Sequence, residues 1–151
     1  MKQMSVGAFL RRIDFPYEAV TVREEATLQE VMEEMLRHRE QRSVFVVDGE
    51  GVLKGVIAVG TLARHFMHEG VAPQDGFSPA TDILHYLTAE YAGDIMSPDV
   101  VYCTMDEPLE QAAHKMLGRQ VYKLLPVLDE QRRIVAVLDL ISLLEFALAE
   151  G

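Results

Sequence analysis

The chain contains an internal repeat: residues 20–62 reappear at residues 101–143, shifted by 81 positions without a gap. Between the matched apolar positions, the other positions mostly keep their polar or apolar character. Eight matched positions are identical: Val20/Val101, Leu28/Leu109, Met35/Met116, Leu36/Leu117, Val46/Val127, Asp48/Asp129, Val56/Val137 and Leu62/Leu143. A repeat of this length indicates that one supersecondary unit is used twice. We therefore expect two similar halves with two related pockets in a cleft between them.

Length and composition are typical of a folded domain. The 151 residues are 49% hydrophobic, which is enough for a core, and no apolar run approaches the roughly 18–20 residues of a membrane helix. The N-terminus lacks the apolar stretch and cleavage site of a secretory signal, and the single cysteine, Cys103, excludes an intrachain disulfide. We expect a cytoplasmic protein without membrane insertion, in which Cys103 is a small buried residue.

The net charge of −10 argues against nucleic acids as partners, because polyanions are bound through clustered Lys and Arg. Positive charge is concentrated at one place only, formed by Arg37, His38, Arg39 and Arg42. Such a cluster either offsets the dipole at the end of a helix or contacts a small phosphate. The sequence leaves both interpretations open.

Each copy has the pattern of a strand, a helix, two strands and a second helix. Residues 27–30 have the pattern of a capping box, and apolar residues at helical spacing follow over 28–36 and, in the second copy, over 109–117. The closing helices carry apolar faces formed by Leu62, Ala63, Phe66 and Met67 in the first copy and by Leu143, Leu144, Ala147 and Leu148 in the second.

The strands are predicted from short β-rich runs that end at turn residues. They cover residues 20–22, 43–47 and 52–59 in the first copy and 101–103, 124–128 and 133–140 in the second. Pro126 has no backbone N–H to donate, so its strand is expected at a sheet edge or with a bulge.

Two segments lie outside the repeat. A short amphipathic helix is predicted after Ser5, with Val6, Phe9, Leu10 and Ile13 on one face. Residues 69–79 are rich in Gly and Pro and read as a surface loop, and Ser78-Pro79 is typical of a helix start that continues towards Tyr91.

Three stretches of this pattern resemble the CBS motif, named after cystathionine β-synthase. They are Ile95-Met96-Ser97-Pro98, Leu124-Leu125-Pro126-Val127-Leu128-Asp129 with its counterpart Val44-Phe45-Val46-Val47-Asp48, and Val52-Leu53-Lys54-Gly55-Val56-Ile57. Each stretch alone is a weak signal, but together, in order and twice at one offset, they are specific.

The resemblance implies an α/β (α+β) fold of two tandem CBS motifs, each β-α-β-β-α, that form one Bateman module. We place the first motif at residues 5–68, the linker and connecting helix at 69–91 and the second motif at 92–149. Modules of this family bind adenosine nucleotides or related ligands in the cleft between the motifs, pair into homodimers through their helices and regulate other proteins. Since no attached domain is visible, we expect a stand-alone module.

The family's ligand residues lie where the last strand runs into the second helix, in the pattern G-h-h-[ST]-x-x-[DN]. There the resemblance implies that the Asp accepts from both ribose hydroxyls and that the Ser or Thr faces the phosphate. In this chain Ala58 and Thr61 take the two positions in the first copy, and Asp139 and Ser142 take them in the second. Thr61 and Ser142 either contact a ligand or serve only as helix N-caps. Asp139 would repel a phosphate at the family's position, and it either caps a helix or takes a ligand or cation.

Arg42 and its match Lys123 are the preferred contacts for an anion, because in this fold the segment before the second strand borders the cleft. The predicted ligand set also includes Thr21 and Ser43 in the first copy and Tyr102 and Leu124 in the second. No catalytic motif and no metal-ligand spacing of the five histidines is present, so we predict neither an enzyme nor a metal site.

Two functions remain open. The first is a ligand-sensing module that requires no cofactor, with AMP, ADP, ATP or S-adenosylmethionine as possible regulatory ligands and an unknown regulated protein as partner. The second is a dimeric interaction scaffold whose pockets are degenerate. The second function stays open because all four positions depart from the family pattern: Ala58 and Asp139 replace its Ser or Thr, and Thr61 and Ser142 replace its Asp.

Overall fold

A computed structural model describes residues 4–68, 90–118 and 120–150. The chain divides into two compact units, of which the first unit comprises residues Val20–Val100 and the second unit comprises Met1–Ala19 together with Val101–Gly151. The predicted linker and connecting helix therefore lie outside the described residues up to position 89. Tyr91, at the end of the predicted helical stripe, has extended backbone and immediately precedes a short helix. The motif boundaries along the sequence stay a prediction.

The first unit is a three-stranded sheet with helices. Its strand order is β1-β2-β3, with β1 parallel and β3 antiparallel to β2. The elements are β1 (Thr21–Arg23), α2 (Leu28–Arg37), β2 (Ser43–Val47), β3 (Leu53–Ala58), α3 (Val59–His68) and α4 (Ala92–Ile95).

The second unit repeats this arrangement, with strand order β4-β5-β6 and the same pairing directions. Its elements are α1 (Val6–Arg12), β4 (Cys103–Thr104), α5 (Leu109–Met116), β5 (Leu124–Leu128), β6 (Ile134–Asp139) and α6 (Leu140–Glu150). The predicted β-α-β-β-α order is confirmed in both copies. Within the described residues, no helix has both the length and the apolar composition needed to cross a bilayer.

The capping box predicted for α2 is present. The Glu30 backbone N–H donates to the Thr27 hydroxyl over 3.2 Å, and the Glu30 carboxylate accepts from the Thr27 backbone N–H over 3.0 Å. At the matched start of α5, Pro108 occupies the N-cap position without a side-chain hydrogen bond.

Pro126 explains why the first strand of the second unit differs from the prediction. In the first unit the Phe45 backbone N–H donates to the Val20 carbonyl over 2.8 Å. Pro126 stands at the position matched to Phe45 and has no N–H, so the parallel pairing cannot start there. As a result β4 begins at Cys103, two residues later than the predicted start at Val101. Of the two alternatives for the strand of Pro126, the edge strand is wrong, because β5 is the central strand, whereas a bulge is present, as a register shift between Val127 and Leu128.

Both hairpin turns have the same local structure. The Asp48 carboxylate accepts from the backbone N–H groups of Val52 and Glu50, and these bonds hold the pKa of Asp48 below its usual value. Asp129 accepts the two matched bonds in the second unit. The turn requires a positive φ, which Gly51 supplies at 85° and Arg132 adopts at 65°.

Each unit has its own apolar core. The first is built mainly from Val22, Leu28, Val31, Val44, Val46, Ile57 and Leu62, together with Ala92 of α4. The second combines Val6, Phe9 and Leu10 of α1 with Cys103, Leu109, Met116, Leu125, Leu138 and Phe146. Residues 6–10 thus pack with the second copy of the repeat.

The predicted apolar face of the last helix is divided by the structure. Leu143 is buried, as predicted, and Phe146, three residues later, completes the buried side of the helix. Leu144 and Leu148 are 55% and 83% exposed, because they lie on a different side of the helix from Leu143 and Phe146. In α3 Leu62 is buried but Ala63 is exposed. The grouping by sequence spacing was therefore wrong about which residues share a buried side.

Cys103 is fully buried in the second core, as predicted. Burial, reinforced by the Glu107 carboxylate, raises the pKa of its thiol from an ordinary 9.0 to about 12. The thiolate, which is the reactive form, is therefore scarce in the folded protein.

We expect the native protein to resist thiol labelling at pH 8. The rise in pKa from 9.0 to about 12 alone reduces the thiolate population about a thousandfold. The measurement is the rate of reaction with a chromogenic disulfide, before and after unfolding in guanidinium. Val121→Cys, at a position that is 60% exposed, is the reactive control. Equal rates at Cys103 and at the introduced cysteine would contradict this prediction.

Candidate ligand site at the strand-to-helix junctions

The predicted ligand residues concentrate at two places where a strand runs directly into a helix. The first junction (residues 58–61) joins β3 to α3, and the second junction (residues 139–142) joins β6 to α6. At the first, the Val59 backbone N–H donates to the Arg42 carbonyl over 2.9 Å. At the second, the Leu140 backbone N–H donates to the Lys123 carbonyl over the same distance of 2.9 Å. The two basic residues, each of which immediately precedes a strand, therefore lie next to the junctions.

Strand pairing adds two more predicted residues to the junctions. Ser43 is paired with Ala58 in β2 and β3, and Leu124 is paired with Asp139 in β5 and β6. The structure thus brings together four of the five predicted residues in each unit. The side chains of Arg42 and Lys123 are exposed there.

Thr61 and Ser142 are not N-caps. Each is the third residue of its helix, since α3 begins at Val59 and α6 begins at Leu140. The cap of α6 is Asp139, whose Oδ2 accepts from the Ser142 backbone N–H over 2.9 Å. Ala58, at the matched position of the first unit, has no side-chain acceptor.

Asp139 is also a buried acid. It is only 5% exposed, and its Oδ1 has no hydrogen-bond partner among the residues that the structure describes. A buried carboxylate oxygen without a donor is unfavourable, so the position accepts a donor group where one is within reach.

A cavity of about 440 Å³ opens at the start of α6. We call it the α6 cavity; it is lined by Ile13, Pro16, Tyr17, Ser142, Glu145 and Phe146. Phe146 is held in place by an edge contact with Phe9, with ring centroids 5.2 Å apart, and by the Arg12 guanidinium 5.1 Å from its centroid. Ser142 is the predicted ligand residue that lines this cavity.

Sequence reasoning missed the other lining residues. Residues 13–17 precede the repeat and therefore have no matched copy for comparison. Asp14 and Phe15 adopt positive φ values of 60° and 44°, so the chain turns sharply here. In a sequence, neither Asp nor Phe is a strong indicator of a positive φ. Glu145 lies one helical turn after Ser142, and that spacing was the available signal.

Thr21 and Tyr102 are placed apart from the junctions. Thr21 lines a second cavity of about 470 Å³ beside β1 and α2, together with Arg23, Glu25, Ala26, Glu30, Glu33, Glu34 and Arg37. Tyr102, its match, lies outside β4 and packs against cations. The Lys115 Nζ is 5.8 Å and the Arg132 guanidinium 5.1 Å from the centre of its ring.

Lys115 is held by hydrogen bonds at the repeat position that Glu34 occupies in the first unit. Its Nζ donates to the Tyr102 carbonyl over 2.8 Å and to the Glu107 carboxylate over 3.0 Å. The two copies thus differ in charge at the same place of the fold. Across the described ranges, no three His, Cys, Asp or Glu side chains are grouped as a metal ion would require.

Two comparisons identify relatives. A curated magnesium transporter, MgtE of Thermus thermophilus, is 30% identical over 138 residues, which is 89% of this chain but 26% of the transporter. The chain therefore spans about a quarter of the length of that relative. A crystal structure of a CBS domain-containing protein from Thermotoga maritima matches with a TM-score of 0.71 and 29% identity, covering 100% of this chain and 98% of that one.

A further structure, the cytosolic domain of the Mg²⁺ channel MgtE in complex with ATP, matches with a TM-score of 0.63 and 28% identity. The match covers 85% of this chain and 44% of that one. The family model for the CBS domain fits residues 11–68 and again residues 92–149. Since these two matches take up most of the sequence and include both copies of the repeat, the chain belongs to the CBS domain family and contains a pair of CBS domains.

Proposed function

We propose that this CBS pair is a regulatory module that senses an adenosine-type nucleotide or a related small ligand and acts on a partner protein. The observation that carries the proposal is the α6 cavity, which opens at the predicted ligand residue Ser142. Its two aromatic rings, Tyr17 and Phe146, suit a flat heterocycle, and its Ser142 hydroxyl suits a polar group of the ligand. A structure 28% identical to this chain was determined in complex with ATP, which supports the same class of ligand.

We assign the first junction a second, weaker role in ligand binding. Arg42, Ser43 and Thr61 meet there, and no carboxylate lies in the first turn of α3. The N-terminus of α3 and the exposed Arg42 would both favour an anionic group. In the second unit, Lys123 and Leu124 take the matched positions beside Asp139.

A thermal-shift series tests the proposal. The ligands are AMP, ADP, ATP, S-adenosylmethionine and NADH, each at several concentrations. At 100 times its dissociation constant, a ligand stabilises the folded state by about 2.7 kcal/mol, which raises the Tm of a chain of this size by roughly 5–10 °C. No shift with any of the five would contradict ligand sensing.

Variants connect the shift to the cavity. Ser142→Ala removes one hydrogen-bonding group and is expected to weaken binding roughly threefold to tenfold. Ser97→Ala, at an exposed position in the first unit, is the matched control and should leave the affinity unchanged. Unchanged affinity in Ser142→Ala would refute the assignment of the ligand to this cavity.

The alternative, a dimeric interaction scaffold, is favoured by one observation. Ile141, Leu144 and Leu148 are 62%, 55% and 83% exposed and lie on one side of α6. Exposed apolar side chains in a continuous row mark contact surfaces more often than isolated ones do. We propose that this row pairs with the same row of a second copy, whether or not a ligand is bound.

A further inference from the structure

We infer that the α6 cavity selects a ligand without phosphate, either neutral or cationic, such as a nucleoside or its sulfonium derivative. The inference rests on the proposed function and narrows its ligand class in the second unit. It follows from the charges at the cavity and from the way in which the start of α6 is capped.

The charge of the cavity lining is negative. Of its six lining residues, Glu145 carries a carboxylate and none is Lys, Arg or His. The Arg12 guanidinium is not part of the lining and lies over the Phe146 ring, 5.1 Å from the centroid. A phosphate bound beside Ser142 would therefore approach Glu145 without a lining cation to neutralise it.

The N-terminus of α6 is already occupied by an anion. Free N–H groups at a helix start normally attract phosphate. Here the Ser142 N–H donates to Asp139 Oδ2 over 2.9 Å, and the Leu140 N–H donates to the Lys123 carbonyl over 2.9 Å. Two of the donors that would hold a phosphate are thus used within the chain, and one of them is paired with a negative charge.

The second oxygen of Asp139 also favours a donor over an acceptor. It is buried, and no group in the described ranges donates to it. Asp139 is not one of the six lining residues, so it acts on the cavity through its negative charge, which repels an ionised phosphate. Asp139 precedes Ser142 by one turn, so its charge is felt at the cavity whether or not the ligand touches it.

The matched position in the first unit lacks this selectivity. Ala58 stands where Asp139 stands, so no carboxylate caps the start of α3. The discrimination against phosphate is therefore a property of the second junction, and single substitutions there should reduce it.

The experiment compares adenosine, S-adenosylmethionine and AMP by isothermal titration at two salt concentrations. At low salt we expect adenosine or S-adenosylmethionine to bind at least about tenfold more tightly than AMP. Ser142→Phe fills the cavity and identifies the binding that belongs to it. Asp139→Asn keeps the cap and removes the charge, and together with Glu145→Gln it should bring the AMP affinity closer to that of adenosine.

The outcomes separate the two proposals. Glu130→Gln, in an exposed turn of the same unit, is the control for loss of one negative charge. AMP binding as tightly as adenosine in a manner that Ser142→Phe abolishes would overturn the selectivity and leave ligand sensing standing. If none of the three compounds binds, both the selectivity and the proposed ligand-sensing function are refuted.

Discussion

Replacing Gly55 with valine is expected to lower the free energy of unfolding by about 3 kcal/mol. Gly55 is buried in β3, and a Cβ at this position would lie 2.7 Å from Met96 Sδ, 2.8 Å from Met96 Cγ and 2.8 Å from the Ser97 carbonyl oxygen. The Met96 side chain is able to rotate away, but the Ser97 backbone is held by two hydrogen bonds with Val56, of 3.0 and 2.9 Å. The substitution must therefore break these bonds or bend the strand.

Chemical denaturation followed by circular dichroism measures the effect. The second unit supplies a matched control, because Ala136 occupies the same place in β6 and already carries a Cβ there. Ala136→Gly is expected to cost only about 1 kcal/mol, from backbone entropy and lost contacts. Gly118→Ala should cost less, since the nearest atom to its Cβ is 4.0 Å away. A Gly55→Val protein within 1 kcal/mol of the parent would contradict the predicted contact.

If the protein forms the dimer that we propose, glutamate at both Leu144 and Leu148 is expected to convert it to a monomer at micromolar concentration. The two leucines are 55% and 83% exposed, so the substitutions leave the core of the second unit intact. In a symmetric dimer both copies lose both leucines, and since each of the four contributes about 1.5 kcal/mol, dimerisation is weakened about 10⁴-fold. Like charges facing each other across the interface add to this loss.

Sedimentation velocity at several concentrations gives the oligomeric state. Val135→Lys is the matched control, because Val135 is 47% exposed on β6 and the first copy has Lys54 at that position. It changes charge and apolar surface without touching α6 and should leave the dimer unchanged. A parent protein that sediments as a monomer, or a double variant that remains dimeric, would rule out this interface.

Much of the fold was readable from the sequence, because its signals are local. The capping box at Thr27 and the turns that begin at Asp48 and Asp129 specify where elements start and stop, and the structure confirms them. The late start of β4 was harder, although the missing donor of Pro126 was recognised. Its consequence depends on the register of β5 against its neighbour, which only the assembled sheet determines.

The ligand site was only partly readable. Strand pairing explains why Arg42, Ser43 and Ala58 meet, and the resemblance to the CBS motif pointed to them. The roles of Asp139 and Ser142 depended on whether α6 begins before or after residue 140, a boundary that sequence patterns do not fix. The other lining residues of the α6 cavity are brought there by tertiary packing of a segment outside the repeat.

The discontinuous second unit has a consequence for the order in which the protein takes shape during synthesis. The N-terminal segment is made first, yet residues 4–19 belong to the same unit as the residues from Val101 onwards. Val6, Phe9 and Leu10 therefore remain without their core until the second copy has been translated, while residues 20–100 already form a unit of their own. A nascent chain that has not yet reached the second copy would therefore expose this apolar N-terminal segment to chaperones or proteases.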